Sequence, residues 1–245
     1  MLLNRFHLIR FRRSSRRLAR ISEEDLVEQA ASGATVIDVR AVKEFAEGHF
    51  PGSLNICAKN RAFARCVELF VPKESEILFV VGKAQEARWA ASELGRAGYS
   101  QAGGFIIAGD LTETDQLTRL SVFDLKSTLV RGRKPAILDV RSVSDWRSTR
   151  IPGSKNIPLS QLYTRSSELC PSSPVVVLCE DGYESAVAAS WLQTNGFDSV
   201  QHLIGGMHAY TGDAFYEYSD ALSAEPAQSF VSPRDIMIFS RSPLI

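Results

Sequence analysis

The sequence predicts an α/β protein made of two tandem copies of one domain, each a mainly parallel sheet flanked by helices. Two observations carry this prediction. The chain repeats itself internally, and within each copy short β-branched runs alternate with stretches of helical pattern. Such alternation is typical of a parallel sheet that is covered by helices on both faces.

The repeat is clearest in two segments whose matched positions lie 101 residues apart. Residues 36–56 read VIDVRAVKEFAEGHFPGSLNI, and residues 137–157 read ILDVRSVSDWRSTRIPGSKNI. Each segment has an apolar run that ends in Asp-Val-Arg, then an acidic residue beside an aromatic one, then Pro-Gly-Ser and Asn-Ile. So many matches in the same order exclude coincidence and indicate a duplicated domain.

The repeat resumes downstream at an offset of 98 residues, where residues 76–99 align with residues 173–197 through a shared Ala-Ala-Ser. From the two matched stretches we predict a first domain over residues 21–112 and a second over residues 118–215. Each has the size of a small independent domain.

The two ends of the chain fall outside the repeat. Residues 1–20 hold seven Arg and no acidic residue. They are interpreted as a basic N-terminal arm or, in a eukaryotic protein, as a mitochondrial targeting segment, and in both interpretations they lie outside the fold. Residues 216–245 are interpreted as a C-terminal extension from which no function follows.

Four β-branched runs in the two domains predict buried strands. These strands cover residues 35–37, 76–81, 136–140 and 175–178. A helical pattern from Glu184 to Leu192 is followed by Gly196, a usual stop signal. In parallel α/β sheets the ligand site lies beyond the carboxyl ends of the strands. Asp139 and Cys179 both stand at that end of a predicted strand.

Composition narrows the classes of function. Hydrophobic residues make up 44% of the chain, charged residues 23%, and the formal net charge is zero, so nothing indicates a nucleic-acid partner. No apolar run approaches the roughly 20 residues that a membrane span needs. The four cysteines have neither the spacing of a disulfide scaffold nor a CxxC pair, so we expect no metal and a reducing compartment, the cytoplasm.

Cys179 ends an apolar strand and stands before a helix. A turn in that position collects backbone N–H groups and the positive end of the helix dipole, which predicts a lowered pKa for the thiol. Gly182 allows the turn to close without a Cβ clash. The arrangement suits a nucleophilic sulfur that receives a negatively charged atom.

The combined pattern, DVR…DW…PGSKNIP followed by CEDGYES, resembles the rhodanese domain, and the tandem copy resembles two-domain sulfurtransferases over residues 21–215. The resemblance implies a persulfide on Cys179, formed without a cofactor. The sulfur would come from a small-molecule or protein donor and pass to a thiol or cyanide acceptor. The substrate-binding residues implied in this way are Asp139, Arg141 and, through main-chain N–H groups, Glu180, Asp181, Gly182, Tyr183 and Glu184.

The first copy departs from this pattern. At the 98-residue offset, Val81 stands in the place of Cys179, and Ala84 in the place of Gly182. Since valine cannot form a persulfide, we expect the first copy to be folded and inert. It would either cover the second site and shape the cleft between the domains, or serve only as a packing partner.

The loop after Cys179 is unusually acidic, with three carboxylates within residues 180–184. They would repel an anionic donor and raise the thiol pKa, so weak activity with thiosulfate is expected unless Arg141, Arg147 or Arg150 compensates. Alternatively, Arg141 pairs with the nearby Asp145 and binds no donor.

Two other functions compete with sulfur transfer. The same fold hosts phosphatases, whose loop needs Arg six residues after the cysteine. That position is Ser185 here, which argues against a phosphate site. A non-catalytic binding or regulatory module stays open.

Overall fold

Two parallel sheets of five strands organise the protein, whose computed structural model describes residues 18–132 and 135–212. The first sheet consists of β1 (Ala19–Arg20), β2 (Thr35–Asp38), β3 (Leu54–Asn55), β4 (Ile77–Val81) and β5 (Ala102–Ile107). Its helices are α1 (Glu23–Ala31), α2 (Val42–Glu47), α3 (Phe63–Phe70) and α4 (Ala84–Arg96).

The second half repeats this plan. Its strands are β6 (Thr118–Leu120), β7 (Ala136–Asp139), β8 (Lys155–Asn156), β9 (Val175–Leu178) and β10 (Val200–Leu203). Its helices are α5 (Val122–Val130), α6 (Val143–Ser148), α7 (Leu162–Arg165), α8 (Tyr183–Thr194) and α9 (Gly206–Thr211). The spatial orders are β1-β5-β4-β2-β3 and β6-β10-β9-β7-β8, so each strand of one sheet has a counterpart in the other. The fold class predicted from the sequence is confirmed.

The strand register aligns the two copies residue by residue. Asp38 on β2 pairs with Val80 on β4, and the equivalent Asp139 on β7 pairs with Leu178 on β9. Val81 therefore occupies the position of Cys179, as the repeat offset predicts. Both residues lie at the carboxyl end of the middle strand of their sheet, where a parallel sheet presents a ligand site.

The prediction that residues 1–20 lie outside the fold is wrong for the last two of them. Ala19 and Arg20 form β1, which pairs in parallel with β5 at Gly104 and Phe105. The outer edge of β5 has backbone groups that need partners, and β6 satisfies β10 in the same way in the second sheet. Residues 1–17 and the expected extension at 216–245 lie outside the described residues.

The two halves share one hydrophobic core. A single cluster of buried side chains includes Phe79 and Ala90 from the first half and Val177 and Leu192 from the second. Helix α8 is the centre of this junction, because residues 185–192 are all buried. The equivalent helix α4 buries only Ala87, Ala90 and Leu94 and leaves its other face exposed.

A polar contact fixes α8 against the first sheet. The backbone N–H of Asn55 on β3 donates to Ser190 Oγ at 2.9 Å, and both residues are buried. Nearby, the rings of Phe70 and Trp191 lie 5.5 Å apart. The helix that begins in the loop after Cys179 is therefore held directly by the first domain.

Candidate active site

Cys179 lies at the carboxyl end of β9, with its thiol enclosed by the turn that leads into α8. Gly182 caps this helix with φ 101°, a left-handed conformation that favours glycine. Its N–H donates to Cys179 Sγ at 3.1 Å. The thiol donates toward Ser185 Oγ at 3.4 Å and lies 3.7 Å from Asp181 Oδ1. The cysteine is only 1% exposed, so protein atoms surround the sulfur in this state.

Helix α9 holds the same turn from the other side. The N–H groups of Met207 and His208 donate to the carbonyl oxygens of Cys179 and Glu180 at 2.9 and 3.0 Å. Gly206 makes this approach feasible, because its φ is 57° and a Cβ there would stand 2.7 Å from the Glu180 carbonyl oxygen. The backbone of the turn is thus fixed before any ligand arrives.

Burial raises the pKa of Cys179 to about 11. The hydrogen bond with Ser185 and the Gly182 N–H lower the pKa, while the charge of Asp181 raises it further. The expected lowering of this pKa is therefore wrong for the resting thiol, because the helix end is outweighed by the loss of water around the sulfur. The expectation that the loop carboxylates raise the pKa holds in direction for Asp181, but burial is the larger cause.

Arg141 and Asp139 form a buried pair below the mouth of the site. The Arg141 guanidinium binds both carboxylate oxygens of Asp139, with Nη2 2.8 Å from Oδ2, and also donates to the Thr149 carbonyl oxygen at 2.6 Å. Arg40 and Asp38 repeat this pairing in the first copy. The alternative pairing of Arg141 with Asp145 is wrong. The Asp145 carboxylate accepts from Ser142 Oγ at the start of α6, and the Asp145 N–H donates to the same hydroxyl.

The remaining Nη1 of Arg141 reaches the acidic loop and lies 2.9 Å from Glu180 Oε2. His208 Nε2 lies 3.1 Å from the other oxygen of the same carboxylate. Glu184 forms an ion pair with Arg65, which stands on α3 of the first domain. Two of the three loop carboxylates therefore face cations or imidazole.

Of the three arginines expected to compensate, Arg141 alone contacts a loop carboxylate within residues 18–132 and 135–212. Arg141 binds Glu180, whereas the Arg150 guanidinium lies over the Trp146 ring at 4.8 Å. Arg65 was missed by the sequence analysis, because it belongs to the copy that was expected to be inert. No local motif marks it, and only the packing of the two domains brings it to the loop.

The main-chain N–H of Tyr183, one of the expected donors, has a partner other than the sulfur. The Tyr183 N–H donates to Asp181 Oδ1 at 2.9 Å and so is engaged within the loop. The Tyr183 side chain extends into the first domain, where it lies beside Cys66 and Cys57. The Gly182 N–H is the expected donor that reaches the sulfur.

An open cleft of about 860 Å³ lies above Cys179 and between the two domains. The first domain contributes Asn60, Ala62 and Arg65 to its wall, and the second contributes Arg141 and the acidic loop. Within the described residues, no group of three or more His, Cys, Asp or Glu side chains is arranged to hold a metal ion.

The equivalent turn of the first copy has a different shape. Ala84, expected at the place of Gly182, is the first residue of α4, and the cap before it is Lys83 with φ −141°. Val81 replaces the thiol and is fully buried. This copy has neither the sulfur nor the left-handed residue that aims an N–H at it.

Comparisons with known proteins agree with the two-domain architecture. The profile of the rhodanese-like domain family matches residues 22–113 and 124–213. The adenylyltransferase and sulfurtransferase MOCS3 of Arabidopsis thaliana is 31% identical over 44% of this chain and 27% of its own length. The putative sulfur carrier protein YrkF of Bacillus subtilis is 34% identical over 31% of this chain and 41% of its own length. The chain thus spans less than half of these curated relatives.

Among solved structures, the thiosulfate sulfurtransferase of Pseudomonas aeruginosa aligns with 80% of this chain and 43% of its own length. The identity is 18% and the TM-score 0.36.

Proposed function

Because the chain belongs to the rhodanese-like domain family, we propose that it is a sulfurtransferase that carries sulfane sulfur as a persulfide on Cys179. The observation that carries this proposal is the thiol at the end of β9, at the floor of the cleft, with the Gly182 N–H 3.1 Å from its sulfur. A backbone donor at the start of a helix favours a negatively charged sulfur at that position.

The proposed reaction has two displacements. The Cys179 thiolate, whose proton has passed to solvent, attacks the outer sulfur of the donor. A sulfur–sulfur bond forms, and the rest of the donor leaves with the electron pair of its broken bond. A thiolate or cyanide then attacks the outer sulfur of the persulfide, and Cys179 leaves as thiolate. The chain's own groups supply positioning and charge stabilisation, and no electron is exchanged with a further reagent.

The proposed substrate-binding set is the loop from Glu180 to Glu184 together with Arg141. Arg141 is the cation at the mouth of the site, oriented from below by the buried Asp139. In this state it is also engaged by Glu180, so an anionic donor has to compete with that carboxylate. We therefore expect weak thiosulfate activity and favour a neutral, cationic or protein-bound donor.

The proposed role of the first domain is to cover the site and orient its loop. Arg65 pairs with Glu184, and the Asn55 N–H binds Ser190 on the helix that follows the loop. These contacts support a role beyond packing, because they act on the segment that would hold the persulfide.

We propose that the reaction takes place in a reducing compartment, the cytoplasm or, in a eukaryotic cell, the mitochondrion, because the four cysteines are free. No helix within residues 18–132 and 135–212 is long and apolar enough to cross a bilayer.

A second candidate is a non-catalytic binding module. The observation that favours it is the burial of Cys179, which raises its pKa to about 11 and leaves little thiolate at neutral pH. A phosphatase is not favoured, because Ser185 occupies the position where a phosphate site needs an arginine.

Intact-mass spectrometry after incubation with thiosulfate, mercaptopyruvate and a low-molecular-weight persulfide separates these candidates. We expect one added sulfur atom that is lost on later addition of cyanide and absent in Cys179→Ser. Cys170→Ser is the matched control, since Cys170 is an exposed cysteine of the same domain, and it should load normally. No adduct with any donor would support the binding module. Fast thiosulfate:cyanide turnover that depends on Cys179 would contradict the argument from loop acidity.

A further inference from the structure

Two buried polar side chains continue inward from Cys179. Ser185 Oγ lies 3.4 Å from Cys179 Sγ and 3.2 Å from His202 Nδ1. Ser185 stands on the first turn of α8 and His202 on β10, and they are 0% and 1% exposed. Neither residue belongs to the site that the sequence pattern predicts. Buried polar groups are costly unless they bind one another, so a chain of this kind needs an explanation.

The internal repeat supplies a comparison within the same chain. The strand register pairs Val177 with His202 in the second sheet and the equivalent Phe79 with Phe105 in the first. Phe105 therefore occupies the position of His202. At the 98-residue offset, Ala87 occupies the position of Ser185. The copy that lacks the cysteine has apolar residues at both inner positions, and all of them are buried. The three polar residues are thus present together in one copy and absent together in the other.

The Ser185 hydroxyl lies within reach of two acceptors, the Gly182 carbonyl oxygen and the Cys179 sulfur. In the thiol state the Cys179 S–H donates to Ser185 Oγ, and the hydroxyl donates to the Gly182 carbonyl oxygen at 3.1 Å. When the sulfur is anionic it has no proton to give, and the same hydroxyl can turn and donate to it. That reversal needs another donor to Oγ, and His202 Nδ1 is within reach to serve.

His202 is suited to donate and unsuited to act as a base. Burial, assisted by the charge of Arg119, lowers the pKa of His202 to about 3, so the imidazole is neutral at neutral pH. A group that protonates near pH 3 does not take a proton from a thiol with a pKa of about 11. The neutral ring still carries one N–H, and on Nδ1 that proton points at Ser185.

We propose that His202 is a positioning residue that donates from Nδ1 to Ser185, so that the Ser185 hydroxyl donates to the anionic sulfur of Cys179. The benefit to persulfide chemistry rests on the proposed function. The hydrogen-bond chain itself needs only the Cys179 thiolate, so it can be tested without a sulfur donor. The charged groups around the chain are Asp181 beside the sulfur, Arg119 beside His202 on β6, and the Arg141–Glu180 pair at the mouth. All of them stay in place in the test variants.

The test measures how the alkylation rate of Cys179 by iodoacetamide depends on pH, with peptide mass spectrometry to resolve the four cysteines. Ser185→Ala and His202→Phe should each move the midpoint upward by about one pH unit, a roughly tenfold fall in rate at neutral pH, since a hydrogen bond to a charged group is lost. His202→Asn, whose amide N–H can also donate, should lie close to wild type. Because His202 acts through Ser185, adding His202→Phe to Ser185→Ala should shift the midpoint no further.

His49→Phe is the control for loss of a buried histidine, since His49 is buried in the first domain, and it should leave the profile unchanged. Circular dichroism checks the fold of each variant. An unchanged profile in His202→Phe, additive shifts in the double variant, or a wild-type Cys179 that does not react at any pH would overturn the proposal. If His202→Phe does not fold, an unchanged profile in Ser185→Ala overturns it. Sulfur loading is scored separately, so a wild type that loads no sulfur but shows the expected shifts would contradict the proposed function alone.

Discussion

Arg65 of the first domain and Glu184 of the second form an ion pair across the domain boundary. Glu184 belongs to the acidic loop, and Arg65 belongs to the copy without a cysteine. The two side chains are 58% and 28% exposed, so water screens the pair and its expected contribution to stability is below about 1 kcal/mol. The pair also neutralises one negative charge at the approach to Cys179.

Arg65→Gln should slow persulfide formation from thiosulfate severalfold and affect a neutral donor less. The unpaired carboxylate of Glu184 would then repel the anion as it enters the cleft. The measurement is the rate of sulfur loading on Cys179 by intact-mass spectrometry with both donors. Adding Glu184→Gln should restore the thiosulfate rate, and Arg96→Gln, which breaks an ion pair within α4, should change neither. Equal slowing with both donors would contradict the electrostatic account.

Asp181→Asn should lower the pKa of Cys179 and raise its reactivity at neutral pH. The Asp181 carboxylate lies 3.7 Å from the sulfur and raises the thiol pKa through its charge. Without that charge the thiolate costs less, so the midpoint of Cys179 alkylation should move to lower pH by up to about one unit. Asp198→Asn, an exposed change beyond the other end of α8, is the control. A midpoint that rises or stays fixed in Asp181→Asn would contradict a contribution of the Asp181 charge to this pKa.

The features that depend on one copy of the domain alone could be predicted from the sequence. The duplicated Asp-Val-Arg pattern places Asp139 and Cys179 at the strand ends, and the repeat offset identifies Val81 as the replacement for the cysteine. Contacts between the copies could not be predicted in this way. The Arg65–Glu184 pair and the Asn55–Ser190 hydrogen bond depend on how the domains pack.

Two further features of the site, and one short strand of the fold, could not be predicted from the sequence either. The pKa of Cys179 depends on how much water is excluded from the sulfur, and a strand-turn-helix pattern fixes only the direction of the helix dipole. No local pattern in the sequence separates His202 from other strand residues. Only the folded sheet shows that it lies beside Ser185. The two-residue strand β1 is too short to give a periodic pattern and is recognised only by its pairing with β5.

Ser190→Ala should destabilise the protein by about 1–3 kcal/mol, because it leaves the buried Asn55 N–H without an acceptor. The measurement is the free energy of unfolding in urea. The repeat provides a matched control in Ser92→Ala, since Ser92 occupies the same place in the Ala-Ala-Ser of α4 but is exposed. That change should stay within about 0.5 kcal/mol of wild type. Equal losses in the two variants would show that the Asn55 contact adds nothing to the junction between the domains.

Because of the buried His202, the free energy of unfolding should decrease as the pH falls below neutral. Its folded-state pKa is lowered to about 3 by burial, whereas an unfolded histidine protonates near pH 6.5. Between those values the unfolded chain binds more protons, so the stability contributed by the neutral ring is complete above the unfolded pKa. It is lost as the pH falls, by up to about 1.4 kcal/mol per pH unit.

His202→Phe should remove this component. The measurement is the free energy of unfolding in urea at a series of pH values from neutral to mildly acidic. The curve of the variant should be flatter than that of the wild type, with the difference confined to the region below about pH 6.5. Contributions from all other groups are common to both proteins and cancel in the comparison. Parallel curves would mean that the pKa of His202 is the same in the folded and the unfolded chain, and would contradict its lowering by burial.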